Sequence, residues 1–330
     1  MKRIVFSIIP ILSVLVVLLF TSCDKLIYED LEDCPQGVYI SFYHQTPCMG
    51  APTDLGAVEG LHLFAFDLSD HLVKIDRIDG QVDLSKAYEM ELPPVEHGQY
   101  SIIAWAGTSD EFFFLNEFIV GESTKEDVLM TLRSKDSNAV ALGSHQVWHG
   151  ESRVITLPDR KEYGSVYEEV AINMLEVTNR IQVTLKLHES VCDRLDIDDF
   201  ELMISSANGT SLINKRMPLG AAQLTYPGTE IASDETSVRL AYTLMELKSG
   251  YSNVLKVYNK KEDKNYFVQD LLGKVLLENP NVNLECTHDF DIVMEIEDKC
   301  KDCPDNHLVV HIMINNYTIH SFAVELANRY

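Results

Sequence analysis

Residues 181–188 alternate strictly between apolar and polar side chains. Ile181, Val183, Leu185 and Leu187 are the apolar members, and polar residues stand between them. A period of two is that of a β-strand with one buried face, whereas a surface helix repeats every 3.6 residues. The segment is therefore predicted to lie in a sheet that covers a hydrophobic core.

Strand-like segments recur along the chain and are separated by turn residues, while helical spacing is scarce. The pattern predicts an all-β protein of two β-sandwiches, one over residues 36–177 and one over 178–330. Three local expectations go with it: a helix over 123–133, a short helix over 270–277 capped by Asp270, and a hairpin turn at Asn208-Gly209. The other predicted strands are 38–43, 61–66, 73–76, 98–107, 166–174, 200–206, 210–214, 238–244, 254–258, 266–268, 290–296, 308–314 and 317–326, the last two joined by a turn at Asn315-Asn316.

The first 22 residues have the layout of a secretory signal. Lys2 and Arg3 precede an apolar run over 4–20, and the small residues Thr21 and Ser22 lead to Cys23. A cysteine at the cleavage point predicts a lipoprotein signal peptide over 1–22, with Cys23 as the lipid attachment site and an acidic leader over 23–35. The alternative is an uncleaved membrane helix, which Pro10 and the small residues before the cysteine disfavour.

Six further cysteines follow Cys23. An exported chain permits disulfides, and proximity in sequence favours a Cys34–Cys48 pair. Cys300 and Cys303 could close a small loop, form half of a zinc site or act as a redox motif, but no second C-x-x-C accompanies them. The sequence leaves the connectivity open among Cys34, Cys48, Cys192, Cys286, Cys300 and Cys303.

The formal charge of −24 excludes a nucleic-acid partner, because the phosphate backbone would repel the chain. Solubility explains the 51 acidic residues better than calcium binding does. No motif for a nucleophile, a phosphate loop or a metalloprotease is present, so neither catalysis nor a cofactor is expected. His145 and His149 have the spacing of a helical metal site, but Gly143 and Gly150 bracket them, which favours a loop.

Several motifs occur together and in order along the chain. They are Cys23 with Asp33-Cys34-Pro35, Leu63-Phe64-Ala65-Phe66-Asp67, Gly98-Gln99-Tyr100, Ala104-Trp105-Ala106-Gly107, Thr178-Asn179-Arg180-Ile181-Gln182-Val183, Val238-Arg239-Leu240, Asp270-Leu271-Leu272 and Ile314-Asn315-Asn316-Tyr317. As an ordered set behind a lipidation site, they resemble the FimB/Mfa-type fimbrial anchor lipoproteins of type V fimbriae. Asn316-Tyr317 departs from the glycine and tryptophan expected in relatives.

The resemblance implies two transthyretin-like β-sandwich domains in a surface-exposed lipoprotein of the outer membrane. It also implies an anchor at the base of a fimbria, which joins pilin subunits by β-strand exchange. The last predicted strand, 317–326, is the hypothetical participant, because terminal strands leave a sheet most easily.

A stand-alone adhesin or glycan-binding lipoprotein on the same scaffold is the alternative, because a fold does not fix a function. Exposed aromatic side chains on one sheet face would favour it, and Trp148 and Tyr226 are the residues whose placement matters. An enzyme is the third possibility and would show a deep pocket with converging polar groups.

Overall fold

The structure is a computed structural model that describes residues 34–300 and 308–324. Strands dominate it, which confirms the prediction of an all-β protein. Helical structure is confined to α1 (Arg160–Tyr163) and the 3-10 turns Glu96–Gly98, Ile197–Asp199 and Leu276–Glu278 within these residues. The strands up to residue 177 are β1 (Gln36–Tyr43), β2 (Ala57–Phe66), β3 (Leu72–Asp83), β4 (Tyr88–Leu92), β5 (Gln99–Ala106), β6 (Phe113–Leu115), β7 (Leu129–Leu132), β8 (Ser134–Lys135), β9 (Asn138–Ala139), β10 (Trp148–Glu151), β11 (Ile155–Thr156), β12 (Tyr167–Asn173) and β13 (Leu175–Glu176). Those that follow are β14 (Thr178–Leu187), β15 (Phe200–Ser206), β16 (Thr210–Leu212), β17 (Leu224–Tyr226), β18 (Thr229–Ser233), β19 (Ser237–Met245), β20 (Asn253–Asn259), β21 (Lys264–Asp270), β22 (Asp289–Asp298), β23 (Leu308–Ile314) and β24 (Tyr317–Ala323).

The first sandwich packs a three-stranded sheet, β12-β1-β4, against a larger sheet in which β13, β10, β5, β2 and β3 are neighbours. β1 is the central strand of the small sheet and runs parallel to β12 and antiparallel to β4. Val38 and Ile40 of β1 are buried against Leu63 of β2 and Ile102 of β5. This core accounts for the alternation of buried and exposed side chains from Ile40 to Phe42 of β1.

Strand β2 of the larger sheet is buried on both of its faces from Gly60 to Phe66. Leu61, Leu63 and Ala65 face the first core, whereas Phe64 and Phe66 point the other way and join the core of the second half. Residues 61–66 are apolar on both faces, except for His62, because each face contacts a separate core.

The second sandwich packs the sheet β18-β19-β14-β22-β23-β24 against the sheet β21-β20-β15-β17-β9-β8. The alternating residues 181–187 lie in β14, at the centre of the first of these sheets, and their apolar members are buried; His188 follows the strand. The Tyr242 hydroxyl donates to the Leu202 carbonyl 2.9 Å away and so joins the two sheets across the core.

The predicted helix over 123–133 is wrong, because this segment contributes β7 instead. Val128, Met130 and Leu132 are all buried, which is a strand period of two; the spacing of Val128 and Leu132 alone also fits a helix. β7 pairs with β16 and β9 pairs with β17, so residues before 178 complete sheets of the second half. The division at residues 177 and 178 stays a prediction.

The predicted hairpin at Asn208-Gly209 is also wrong. β15 pairs with β17 and β20, and β16 pairs with β7 instead of returning along β15. Asn208 is buried, donates its amide to the Met245 carbonyl at 2.6 Å and accepts from the Tyr226 hydroxyl at 2.6 Å. This side chain joins separate elements, so the dipeptide is a buried connection and not an exposed turn.

The segment 270–277 does not form the predicted continuous helix. It is a series of turns that ends in the three-residue 3-10 helix Leu276–Glu278. Asp270 does accept a hydrogen bond from the backbone N–H of Gly273, as a capping residue would. Leu271, Leu272, Val275 and Leu276 are all buried, so packing against the core fixes these turns.

The favoured Cys34–Cys48 disulfide is wrong. Cys48 is bonded to Cys286, with a Cα–Cα distance of 5.9 Å, whereas Cys34 is a free thiol. The eight residues of β1 separate Cys34 from Cys48. An extended strand of that length spans about 26 Å, far beyond the roughly 7 Å that a disulfide can bridge. Cys192 is also free, and Cys303 lies outside the described residues.

Candidate functional site

Within the described residues, the last strand, β24, lies at the edge of its sheet and pairs with β23 alone. Edge strands leave a row of backbone N–H and C=O groups open to another strand. The Phe322 ring packs against Phe267 with ring centroids 5.2 Å apart, so the strand is docked through at least one side chain. The predicted strand over 317–326 is found as Tyr317–Ala323, and Leu326 lies outside the described residues.

The turn before β24 is held firmly. Asn315 and Asn316 have φ values of 48° and 64°, the left-handed conformation that a two-residue hairpin turn requires. The Asn315 N–H donates to the Asp291 carbonyl at 2.9 Å, and the Asn279 amide donates to the Ile314 carbonyl at 2.9 Å. The start of β24 is therefore fixed to β22 and to the loop before it.

The opposite edge of the same sheet is β18, whose residues Thr229–Ser233 are all exposed. Its pairing with β19 is interrupted between Glu230 and Ala232, which leaves Ile231 in a bulge. Bulges and short lengths make an edge a poor template for another strand. The pairing of β24 with β23 also shifts in register, between His311 and Met313, so both edges of this sheet carry an irregularity.

Trp105 and His149 join the two halves at the buried face of the larger sheet. The Trp105 indole N–H donates to the Ile213 carbonyl at 2.7 Å, and His149 Nε2 lies 3.2 Å from the same oxygen. The two residues are paired across β5 and β10, and their rings meet edge to face with centroids 4.8 Å apart. Two donors on one carbonyl fix the segment after β16 against the first half.

An ion-pair network lies where the chain passes from β13 into β14. Arg180 contacts both Glu176 and Asp289, and the Thr178 hydroxyl donates to Glu176 at 2.6 Å. The hydrogen bonds from Arg180 hold the pKa of Asp289 below its usual range. Glu176 is almost completely buried, and an unpaired charge there would destabilise the connection between β13 and β14.

Burial keeps two histidines uncharged. Loss of solvation lowers the pKa of His149 to about 3, reinforced by Lys215, and lowers the pKa of His62 to about 4, reinforced by Arg77. The other pair of interest is His145 and His149, whose spacing resembles that of a helical metal site. His145 Nε2 bonds the Gly107 carbonyl at 2.6 Å, and His149 lies on β10 instead of the expected loop. Within 34–300 and 308–324, no cluster of three or more potential metal ligands occurs.

These histidines predict a loss of stability in mild acid. The unfolded chain binds protons near pH 6.5 and the folded chain does not, so stability is complete above about pH 6.5 and falls as the pH drops toward 4. Each histidine contributes a slope of up to about 1.4 kcal/mol per pH unit. Urea unfolding at pH 7, 6 and 5 measures this slope. His149→Gln should flatten it, whereas the same change at exposed His97 should not, and equal slopes for all three proteins would contradict the assignment.

Cys23 and most of the leader lie outside the described residues, and the description starts at Cys34, directly before β1. No helix in the described part of the chain has the length and apolar character needed to cross a bilayer. Trp148 and Tyr226 are the two aromatic residues whose exposure would favour an adhesin. Tyr226 is buried in the core of the second half. Trp148 is half-buried and lines a cleft of about 510 Å³ together with Phe112, His145 and Glu59.

The sequence indicated the terminal edge strand and its Asn-Asn turn, but it gave no sign of the contacts between the halves. Nothing in the local pattern distinguishes His149 from a surface histidine, and a backbone carbonyl such as that of Ile213 carries no sequence signal. Cys286 could be suspected only from the even number of cysteines after Cys23.

The described residues form an all-β protein in which two sandwiches share a sheet, with β24 at one edge of the second sandwich. Residues 31–321 match the model of the fimbrillin-A associated anchor proteins Mfa1 and Mfa2. The chain belongs to this family.

Known proteins agree with this assignment. The minor fimbrium anchoring subunit Mfa2 of Porphyromonas gingivalis is 35% identical over 309 residues, which cover 92% of each chain. The solved structure of the fimbrial anchor protein Mfa2 from the same organism has a TM-score of 0.76 at 32% identity, and covers 88% of this chain and 100% of that one. A candidate polysaccharide-binding protein from Bacteroides thetaiotaomicron has a TM-score of 0.65 at 18% identity, covers 90% of this chain and all of that one, and shows the shared fold alone.

Proposed function

We propose that the chain is a surface-exposed lipoprotein of the outer membrane that anchors the base of a fimbria. The family match over residues 31–321 carries this proposal. A diacylglycerol on Cys23 and an acyl chain on its amino group would hold the protein, since two chains give stable membrane attachment and one does not. The acidic leader over 24–35 then separates the folded body from the lipid surface.

The partner is a pilin subunit, joined by β-strand exchange at β24. A sheet edge supplies backbone hydrogen bonds, and exposed side chains such as Tyr317 supply specificity through pockets on the partner. Tyr317 is 43% exposed, although tyrosine has a large apolar ring. Deleting residues 318–330 tests the exchange, because a truncated protein that still captures pilin would eliminate β24 as the participant.

Replacing the lipidated cysteine should release the fimbriae. In Cys23→Ala cells, fimbriae are expected to move from the cell surface into the medium, because the acyl chains that hold the anchor are missing. The measurement is a pull-down from detergent-solubilised membranes, with mass spectrometry of the proteins recovered alongside the wild type and the variant. Cys192→Ala, which changes an exposed thiol elsewhere, is the matched control.

A pilin ladder with the wild-type protein and free fimbriae in the Cys23→Ala culture would establish the anchor. Recovery of the lipoprotein alone, with fimbriae retained by the variant, would contradict the proposal and favour a stand-alone adhesin.

The cleft beside Trp148 favours a second candidate function, the binding of a neutral oligosaccharide. The indole of Trp148 and the ring of Phe112 offer apolar faces for a sugar ring, while Glu59 and Ser144 offer polar groups for its hydroxyls. A cleft of 510 Å³ lies within the range of small-ligand sites. The charge of −24 argues against an anionic glycan.

The chain contains two tryptophans, so the two indole N–H signals in a nitrogen-proton correlation spectrum report on this cleft separately. Titration with mannotriose, maltotriose or triacetylchitotriose is expected to shift the Trp148 signal and leave that of buried Trp105 in place. Tyr39→Ala changes a half-exposed aromatic residue outside this cleft and should keep the shift, whereas Trp148→Ala should abolish binding. An unchanged Trp148 signal with all three sugars would contradict glycan binding there.

A further inference from the structure

The Cys48–Cys286 disulfide covalently joins two loops that are far apart in the sequence. It joins the loop after β1 to the loop before β22, over a sequence separation of 238 residues. The Asn283 side chain also lies against Cys48, with its amide 3.7 Å from the sulfur, so the two loops contact each other beyond the bond itself.

The elements next to this bond are already extended. β1 leads from the leader to Cys48, and a strand rises about 3.3 Å per residue, close to the limit of a stretched chain. β1 is also paired on both sides, with β12 and with β4, and tension can therefore lengthen it very little. On the other side of the bond, β22 starts at Asp289 and is likewise the neighbour of two strands, β14 and β23.

We infer that tension between the N-terminal and C-terminal ends passes through β1, the Cys48–Cys286 bond and β22–β24, and bypasses residues 49–285. This load path rests on the proposed function, in which the membrane holds one end and the fimbria the other. The contact of Trp105 with Ile213 and most residues of both cores lie within the bypassed loop, while β1 and β22–β24 supply the remaining core residues. Tension between the two ends therefore cannot extend the loop while the bond is intact.

Single-molecule stretching tests the load path directly, using the mature chain held by tags at its two ends. The oxidised wild type is expected to extend by about 800 Å less than Cys48→Ser/Cys286→Ser, because some 238 residues at about 3.5 Å each cannot be drawn out. Reducing the wild type with dithiothreitol should restore this length, and the reductant should leave the extension of the loop in the double variant unchanged.

Cys192→Ser is the matched control, since it removes a free thiol and should leave the extension of the oxidised protein as in the wild type. Equal final extension of the oxidised wild type and the double variant would overturn the inference.

A cellular measurement separates this inference from the anchor function. Under shear flow, the double cysteine variant is expected to lose more fimbriae than the wild type, while cells at rest retain them equally. Equal loss under shear would overturn the load path in the cell. Cys23→Ala should lose fimbriae even at rest, and retention there would overturn the anchor function independently of the stretching result.

Discussion

Trp105→Ala is expected to lower the free energy of unfolding by about 3 to 5 kcal/mol, the usual cost of truncating a buried tryptophan. Trp105 is 1% exposed, and its ring packs against His149 at the junction of the two halves. The substitution removes the side-chain volume and also the N–H that donates to the Ile213 carbonyl. Urea unfolding followed by circular dichroism measures the loss.

Trp105→Phe separates packing from hydrogen bonding. The smaller ring fills most of the space but cannot donate, so a loss of about 1 to 2 kcal/mol is expected from the missing bond. The loss stays moderate because His149 Nε2 remains within 3.2 Å of the Ile213 carbonyl. A loss below about 1 kcal/mol for Trp105→Ala would show that this contact does not hold the two halves together.

Cys48→Ser/Cys286→Ser is expected to lower the free energy of unfolding by about 3 to 5 kcal/mol. The bond closes a loop of about 238 residues, and in the chain-entropy description a long loop restricts the unfolded chain strongly. Denaturant titration of the oxidised double variant beside the wild type measures the difference under identical conditions.

The matched control is Cys192→Ser, whose thiol is exposed and unbonded, and which should unfold within about 0.5 kcal/mol of the wild type. An equally stable double variant would mean that the unfolded chain is restricted in some other way, and it would contradict the entropic account.

The strands that could be predicted from the sequence are those whose own residues carry the signal. β14 alternates from Ile181 to its end at Leu187, and the β23–β24 hairpin has both flanking strands and a two-asparagine turn. Such features depend on side-chain period and on backbone conformations that few residues adopt, and both are visible locally.

What could not be predicted are pairings between residues distant in the chain. β7 and β16 are separated by residues 133–209, and nothing in the sequence of either strand indicates that it pairs with the other. The Asn208-Gly209 dipeptide has strong turn chemistry, yet Asn208 makes its bonds to Met245 and Tyr226. The turn preference of the dipeptide is outweighed at this position, because the buried polar groups around Asn208 each require a hydrogen-bond partner.

The same limit applies to the candidate functional site. The sequence predicts Cys23 as a lipid attachment site and 317–326 as a strand, because a lipidation signal and a strand pattern are recognisable without a fold; the first stays a prediction, and the second is found as β24. The cysteine pair was mispredicted because proximity in sequence ignores the length of β1, which holds Cys34 and Cys48 apart. The contact of Trp105 and His149 with Ile213 required the position of a backbone oxygen, which only the fold supplies.

The sheet buried on both faces makes the two halves of the chain interdependent. A fragment starting at residue 178 would lack β7, β8 and β9, and would expose the apolar surface that Phe64, Phe66 and Trp105 cover. The first half alone would in turn present those same aromatic rings to water. Neither half is expected to fold alone. A recombination event that moved one half to another anchor protein would therefore have to move the shared sheet and the strands that pair with it as well.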